Sequence, residues 1–506
     1  MEQNTMAARL KQRLVVASNR LPVEIGREGE SWHVRPVAGG LVTALNPIMQ
    51  RNRGLWIGWP GCAADVPVAD LLAASAQDYA YDLRPVLLTA EEEEGYYRGF
   101  ANETIWPLFH DLLGHCHFDL ENWKTYISVN RRFAEVIDET SGPDDLVWVH
   151  DYQLMLVAQH LRSLGTRQPL SFFLHIPFPT LDLFRRLPWK NEIIRALLTF
   201  DQLGFQTLRD RRNFVHCVRG LVPAVEVTAG RRETMLRVDG RVITVGHFPI
   251  SIDFDEFDQG ARRVEVAEAA WFLRERFHSR KLILGIDRLD YTKGIPERFL
   301  AFERALVKYP DLLGNVALIQ LVIPSRTHVP DYRNLKALLD ELAGRINGRF
   351  SRHGWVPIHY MYRSLERTQL LAHYRACEIA LITPLRDGMN LVAKEYCACS
   401  IDGNGVLILS EFAGTADQLG RGALCVNPYD REGTADTIYA AYTMDTDERT
   451  SRMRALRAEI RRNDVHRWLR WVLARPSEGE AEPERESESS SGTMSLPLTT
   501  AETPKA

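Results

Sequence analysis

Short apolar runs that stop abruptly in a polar, often glycine-bearing turn recur along this chain, and they constrain its fold more than any other feature. The sharpest is Ile379 to Ile382 (IALI), which runs into Thr383 to Glu395 (TPLRDGMNLVAKE). A short apolar run without alternation reads as a strand buried on both faces, and the segment from near Asn390 reads as a helix, so this stretch is strand, turn, helix. The same pattern occurs in Arg13 to Ser18 before Asn19-Arg20-Leu21-Pro22, in Asp145 to Val149 before His150-Asp151-Tyr152, and in Ser171 to Leu174 before His175-Ile176-Pro177-Phe178-Pro179. It returns in Asp201 to Phe205 before Gln206-Thr207, in Val242 to Phe248 before Pro249, in Leu282 to Ile286 before Asp287 to Gly294, in Ala317 to Ile323 before Pro324-Ser325-Arg326, and in Val406 to Glu411. Such runs alternating with helix-length stretches predict an α/β chain with doubly wound parallel sheets.

In such sheets ligands collect outside the carboxyl ends of the strands, where helix N-termini present N–H groups to anions. In the turn after Ile382, Gly388 permits close backbone approach, the N–H groups of Met389 to Leu391 can hold phosphate oxygens, and Asp387 and Glu395 can accept from sugar hydroxyls. That describes a nucleotide-sugar cradle. The plainer alternative is an ordinary helix start with Asp387 as cap and Glu395 solvated. Arg288 and Lys293 bracket a turn with Gly294 and can converge on a diphosphate, although basic pairs on loops are commonly solvated. Two further strand exits deliver Asp151 and His175 to one rim, and Gly39-Gly40 opens a helix. Trp56 to Trp59 reads as a strand of the core, Gly26 to His33 as a polar insertion, Glu91 to Glu94 as a solvated helix face, and the aromatics around Tyr97 and Trp106 as packing.

With 506 residues, 45% of them hydrophobic, the chain has material for two or three domains. Lys plus Arg at 62 against Asp plus Glu at 66 gives a formal charge of −4, so no basic field points to nucleic acid or an anionic membrane. The seven cysteines lack Cys-x-x-Cys spacing and read as reduced thiols of a cytoplasmic protein. Neither a signal-peptide core nor a membrane-length apolar run is found. No acidic metal-binding cluster of the Asp-x-Asp kind is recognised, and the oligomeric state is left open, a homo-oligomer included. From Ser477 the composition turns to Glu, Ser, Pro and Thr, which predicts a disordered tail over 477–506.

The loop from Thr383 to Glu395 resembles the donor-binding loop of the trehalose phosphate synthase family of retaining glycosyltransferases. The likeness runs from Arg13 to about Leu473 through the His-Asp-Tyr, His-Ile-Pro-Phe-Pro and Arg-Leu-Asp-Tyr-Thr-Lys-Gly motifs. The resemblance implies the GT-B architecture, two Rossmann-like domains with parallel sheets facing across a cleft. Residues 1–250 would form an acceptor-binding domain, 251–455 a nucleotide-sugar-binding domain, and 456–476 a helix returning to the first. It implies transfer of glucose from UDP-glucose to glucose 6-phosphate, giving α,α-trehalose 6-phosphate and UDP with retained anomeric configuration, without metal or other cofactor. Arg20, Tyr97, Trp106 and Arg326 would hold the acceptor phosphate, and Asp151 would lie between the two sugars. Gly39, Gly40 and His175 would face the donor from the first domain; Arg288 and Lys293 would neutralise its diphosphate. Asp387, Gly388, Met389, Asn390, Leu391, Val392 and Glu395 would complete the donor site, with Asp151, His175, Arg288, Lys293 and Asp387 as the catalytic set. Leu365 stands where the family has an aromatic residue near the base, a departure from the family's pattern. Two alternatives keep the same loops: a glucosylglycerol-phosphate synthase using glycerol 3-phosphate, and an inactive paralogue that senses sugar phosphate.

Overall fold

The apolar runs become the central strands of two sheets. The structure is a computed structural model that describes residues 12–28, 31–36, 40–62, 66–75, 80–230, 233–278, 280–325 and 329–473. Gly39, Arg326 and the segment 477–506 lie outside the described residues. The first sheet has nine strands in the order Asp82–Pro85, Leu55–Trp59, Leu14–Arg20, Leu146–His150, Leu170–Phe173, Gln202–Phe205, Arg241–His247, Glu233–Val238, Glu226–Ala229. All neighbours are parallel through Arg241–His247, and the last two strands add an antiparallel edge. The second has six parallel strands in the order Ile358–Tyr362, Val316–Ile323, Lys281–Arg288, Ile379–Ile382, Val406–Ser410, Leu424–Val426.

Numbered along the chain, both sheets carry the 3-2-1-4-5-6 order of the doubly wound fold, the first with one more parallel strand and its antiparallel edge added. The order reverses between the first and fourth strands, and there the helices leave to opposite faces and open a crevice. In the first lobe the switch pair is Leu14–Arg20 and Leu146–His150; in the second it is Lys281–Arg288 and Ile379–Ile382. Burial on both faces explains the unbroken apolar runs. In the first strand Leu14 and Val16 belong to one apolar cluster while Val15 and Ala17 belong to another. One cluster continues between the lobes, from Trp148 and Phe173 through Phe248, Ile250 and Trp468 to Leu284 and Ile382.

Two sequence expectations need correction. The stretch Gly26 to His33 is not a plain insertion: Val23–Glu28 and Ser31–Pro36 pair as an antiparallel hairpin, with Val23 and Ile25 buried beneath it. The acidic run Glu91 to Glu94 is not simply solvated. Glu92 closes a capping box with Thr89 and takes both guanidinium arms of Arg132 at 2.5 and 2.6 Å, and Glu93 binds Arg98 at 2.7 Å. The segment that follows, Glu93–Ile105, is a π-helix, whose wider turn displaces side chains from the α-helical phase. Near the C-terminus the chain forms helices Thr446–Arg462 and Val465–Leu473, and the second packs Trp468 on Trp148 of the first sheet with ring centroids 5.4 Å apart. All seven cysteines are free, and no helix among the described residues is long and apolar enough to cross a membrane.

Candidate active site

Both switch pairs deliver polar side chains to the space between the lobes. In the second lobe, strand Lys281–Arg288 ends at the exposed Arg288, and Asp290 caps a short turn, Tyr291–Lys293, by accepting from the Thr292 N–H. Lys293 Nζ then lies 2.6 Å from Asp387 Oδ2, with both side chains about nine-tenths buried. Burial pushes the Asp387 carboxyl up, but Lys293 and the Met389 N–H outweigh it and hold the group below the usual carboxylate range. The Met389 N–H, expected to be free for phosphate, instead donates to Asp387 Oδ1 at 3.1 Å. The cap of helix Leu391–Cys399 is Asn390, not Asp387. Asn390 has φ 61° and accepts from the Ala393 N–H, so the N–H groups of Leu391 and Val392 remain without an intrahelical acceptor. Glu395 Oε2 accepts from the Tyr374 hydroxyl at 2.7 Å, and burial raises its carboxyl above the usual range.

One buried residue that spacing did not single out holds these loops together. Arg298 donates to Asp287, to Gln320 Oε1 at 3.0 Å, to Thr383 Oγ1 at 3.1 Å and to the Lys293 carbonyl at 3.4 Å. It thereby ties the exit of strand Lys281–Arg288 to the first residue of the donor loop. Its signal was present in the sequence: a cation on the apolar stripe Ile295, Phe299, Phe302, Leu306.

In the first lobe Asp151 follows strand Leu146–His150 with φ 74°, a backbone conformation costly for a residue with a Cβ. It accepts from the His175 N–H at 3.1 Å. Burial drives its carboxyl up to about 6, against the His175 and Tyr152 N–H groups and the charge of Arg288 across the cleft. The His175 ring is buried, and its tautomer follows from its neighbours. Gln206 Oε1 accepts from the Ile250 N–H at 2.9 Å, so the Gln206 amide donates to His175 Nδ1 at 3.1 Å, and His175 Nε2 donates to His150 Nδ1 at 3.0 Å. Burial lowers His175 to about 3, so it stays neutral. Both ring nitrogens are engaged by protein, and the main chain of His175 is what meets the donor loop: a Cβ on Gly388 would sit 2.3 Å from the His175 carbonyl oxygen. Likewise a Cβ on Gly40 would sit 2.8 Å from Leu391, which places the start of helix Gly40–Asn52 against the donor helix.

Arg20 stacks its guanidinium on Trp59 at 4.5 Å, its tip lying where a Cβ on Gly61 would sit, and Tyr97 meets the same indole edge-on at 5.8 Å. Trp59, read as core, is therefore also a platform for Arg20. Trp106 packs on Tyr152, the neighbour of Asp151, with centroids 5.7 Å apart. The Asp-x-Asp spacing, passed over in the sequence, does occur at Asp253-Phe254-Asp255 and Asp445-Thr446-Asp447, but Asp253 and Asp445 are helix caps accepting from Glu256 and Glu448 N–H groups. Among the described residues no group of three or more His, Cys, Asp or Glu is placed to hold a metal ion.

Comparison with known proteins bears on the family and the fold. A model of glycosyltransferase family 20 matches residues 12–476. A trehalose-6-phosphate synthase of Mycobacterium avium (strain 104) is 44% identical over 468 residues, spanning 91% of this chain and 94% of the relative. A crystal structure of an alpha,alpha-trehalose-phosphate synthase (UDP-forming) from Burkholderia xenovorans in complex with glucose-6-phosphate superposes with a TM-score of 0.82 at 34% identity, covering 91% of this chain and 99% of that one. A structure described as trehalose-6-phosphate from E. coli bound with UDP-2-fluoro glucose gives a TM-score of 0.81 at 34% identity, covering 92% of this chain and 100% of that one.

Proposed function

Since the chain belongs to glycosyltransferase family 20 and is a glycosyltransferase with two Rossmann-like domains of the GT-B kind, we propose that it transfers glucose from UDP-glucose to glucose 6-phosphate, forming α,α-trehalose 6-phosphate and UDP. The observation that carries this reading is the meeting of the two switch points. Gly388 of the second lobe, next in the chain to the Asp387 that pairs with Lys293, lies against the His175 main chain of the first, and Arg288 acts electrostatically on Asp151 across the gap.

The C1–oxygen bond to the diphosphate breaks as the bond from C1 to the acceptor's anomeric oxygen forms. Charge therefore develops on the leaving diphosphate, and Arg288, Lys293 and the first N–H groups of helix Leu391–Cys399 stabilise it. Lys293 reaches the diphosphate by exchanging its partner Asp387, which then accepts from a glucose hydroxyl. The proton of the attacking hydroxyl passes to the departing diphosphate oxygen on the same face of the sugar, which retains configuration at C1. Two side-chain cations and a helix N-terminus take the part that a divalent cation has in other glycosyl transfers. Glu395 holds the ribose. Arg20 and Tyr97, gathered on Trp59, and Trp106 beside Tyr152 receive the acceptor phosphate. A cytoplasmic location accords with seven free thiols.

The test is a matrix of UDP-, ADP- and GDP-glucose against glucose 6-phosphate and glycerol 3-phosphate, with and without a chelator, the product's anomeric configuration read by NMR. UDP-glucose with glucose 6-phosphate should give the α,α-linked product, undiminished by chelation. Turnover only with glycerol 3-phosphate overturns the acceptor, and an inverted product overturns the mechanism. Arg288→Ala and Asp387→Ala should each lower kcat by roughly 100-fold or more; near-normal turnover in both would overturn the site assignment.

A further inference from the structure

Outside the residues assigned above, one segment of the first lobe reaches over to the second at the rim of the cleft. Leaving the short helix Trp106–Phe109, the chain turns at His110, whose Nδ1 donates back to the Trp106 carbonyl at 2.7 Å. Asp111 follows with φ 62°, an imposed left-handed conformation. Its Oδ2 lies 3.4 Å from Nε of Arg386, the residue before Asp387 in the donor loop. A few residues on, His115 stacks on Tyr291 with centroids 4.6 Å apart and planes 7° from parallel, and its Nδ1 lies 2.8 Å from Asp331 Oδ2. Three elements of the second lobe are thus touched by one loop of the first.

Arg386 is the informative member. Its side chain is 10% exposed, and among the described residues its Nε is buried without an aligned hydrogen bond. The acidic groups facing it are Asp111 and Asp210, both from the first lobe, with Tyr429 of its own lobe nearby and Arg209 opposing. Asp210 already accepts from the Thr207 hydroxyl at 2.6 Å and the Phe178 N–H at 3.0 Å, which leaves Asp111 as the carboxylate with capacity to spare. Among the described residues no carboxylate of the second lobe lies within ion-pair distance of Arg386. A buried guanidinium without a counter-charge is costly. Among the described residues the donor loop therefore carries a cation whose ion-pair partner lies on the opposite lobe.

We propose that Asp111 and Arg386 are positioning residues forming a cross-lobe catch, which fixes the donor loop, and with it Asp387 and Lys293, only when the lobes are closed. The pair stands in contact without an aligned N–H, so it has room to tighten. The segment that carries Asp111 begins at Trp106, and on the functional reading above, on which this inference rests, Trp106 receives the acceptor phosphate. An acceptor in place would then tighten the catch before the donor is cleaved, so that transfer outruns hydrolysis by water.

The experiment compares Asp111→Asn, Arg386→Gln and the double variant with the wild-type full chain. Asp111 is 37% exposed and its change isosteric, so the variant should fold, with only a small fall in melting temperature from the Arg386 charge left uncompensated. For Asp111→Asn the expected result is a fall in kcat of about tenfold, little change in KM for UDP-glucose, and a several-fold rise in the share of UDP released by hydrolysis rather than transfer. The double variant should be no slower than Arg386→Gln alone, the mark of coupled residues. Additive losses in the double variant, or an unchanged ratio of transfer to hydrolysis in Asp111→Asn, would overturn the proposal. If Arg386→Gln does not fold, that ratio decides by itself. If the wild type transfers glucose to no phosphorylated acceptor, the functional reading fails, and the catch is judged by small-angle scattering instead: UDP should compact the wild type but not Asp111→Asn, and equal compaction of both would overturn it.

Discussion

Asp151 is held by three constraints at once: a left-handed backbone, partial burial and a hydrogen bond from the next strand exit. Because burial drives its carboxyl up to about 6, the group is charged above that pH and takes up a proton below it. If the charged form is the one that works beside the sugars, kcat/KM falls as pH drops through about 6, and Asp151→Asn removes that acid limb from the pH profile while slowing the enzyme throughout. His175 and His110, lowered to about 3 and about 4, stay neutral across the same range and supply no competing limb. An unchanged limb in the variant would assign it to another group. The sequence located Asp151, since a strand exit is a local pattern; its strained φ and burial come from the elements closing over it.

The donor loop is an element defined by close backbone approach. A Cβ on Gly388 would lie 2.3 Å from the His175 carbonyl oxygen and 2.9 Å from Ile176 Cα, both main-chain atoms of the other lobe that cannot swing aside. Gly388→Ala should therefore displace the whole loop, raising KM for UDP-glucose and lowering kcat, together by tenfold or more in kcat/KM. Kinetics within twofold of wild type would mean that the loop has room that the backbone distances deny. Glycine here was legible as permissive, but the surface it approaches belongs to a strand exit more than two hundred residues earlier. The π-helix Glu93–Ile105 was not legible at all. Its wider turn brings Glu93 onto Arg98, five residues on, a contact that no α-helical period in the sequence announces.

At the scale of the molecule, the chain crosses between lobes at Phe248 to Ile252, and side chains from three directions grip this crossing. Gln206 accepts from the Ile250 N–H, Trp468 Nε1 donates to the Phe248 carbonyl at 3.0 Å, and Lys394 Nζ donates to the Ile250 carbonyl at 2.8 Å and to Gln418 Oε1 at 2.6 Å. Burial lowers Lys394 to about 7, only weakly opposed by Glu459. An unfolded lysine titrates near 10.4, so between about 7 and about 10 the unfolded chain binds more protons than the folded one, and stability gains with rising pH over that window. Denaturation of wild type and Lys394→Met in parallel should show their difference moving in favour of wild type from pH 7 to pH 10, other titrating groups cancelling. A difference flat across that range would mean that Lys394 titrates as an exposed lysine. The sequence by itself determined the strands, their exits and the chemistry carried on each exit, because burial on both faces of a sheet leaves an apolar run within a few residues of chain. Tertiary structure alone decided which exits confront each other, that Lys293 waits on Asp387, and that Arg386 looks to Asp111 for its counter-charge, because these pairings depend on how two separately wound sheets pack and no short-range pattern records that.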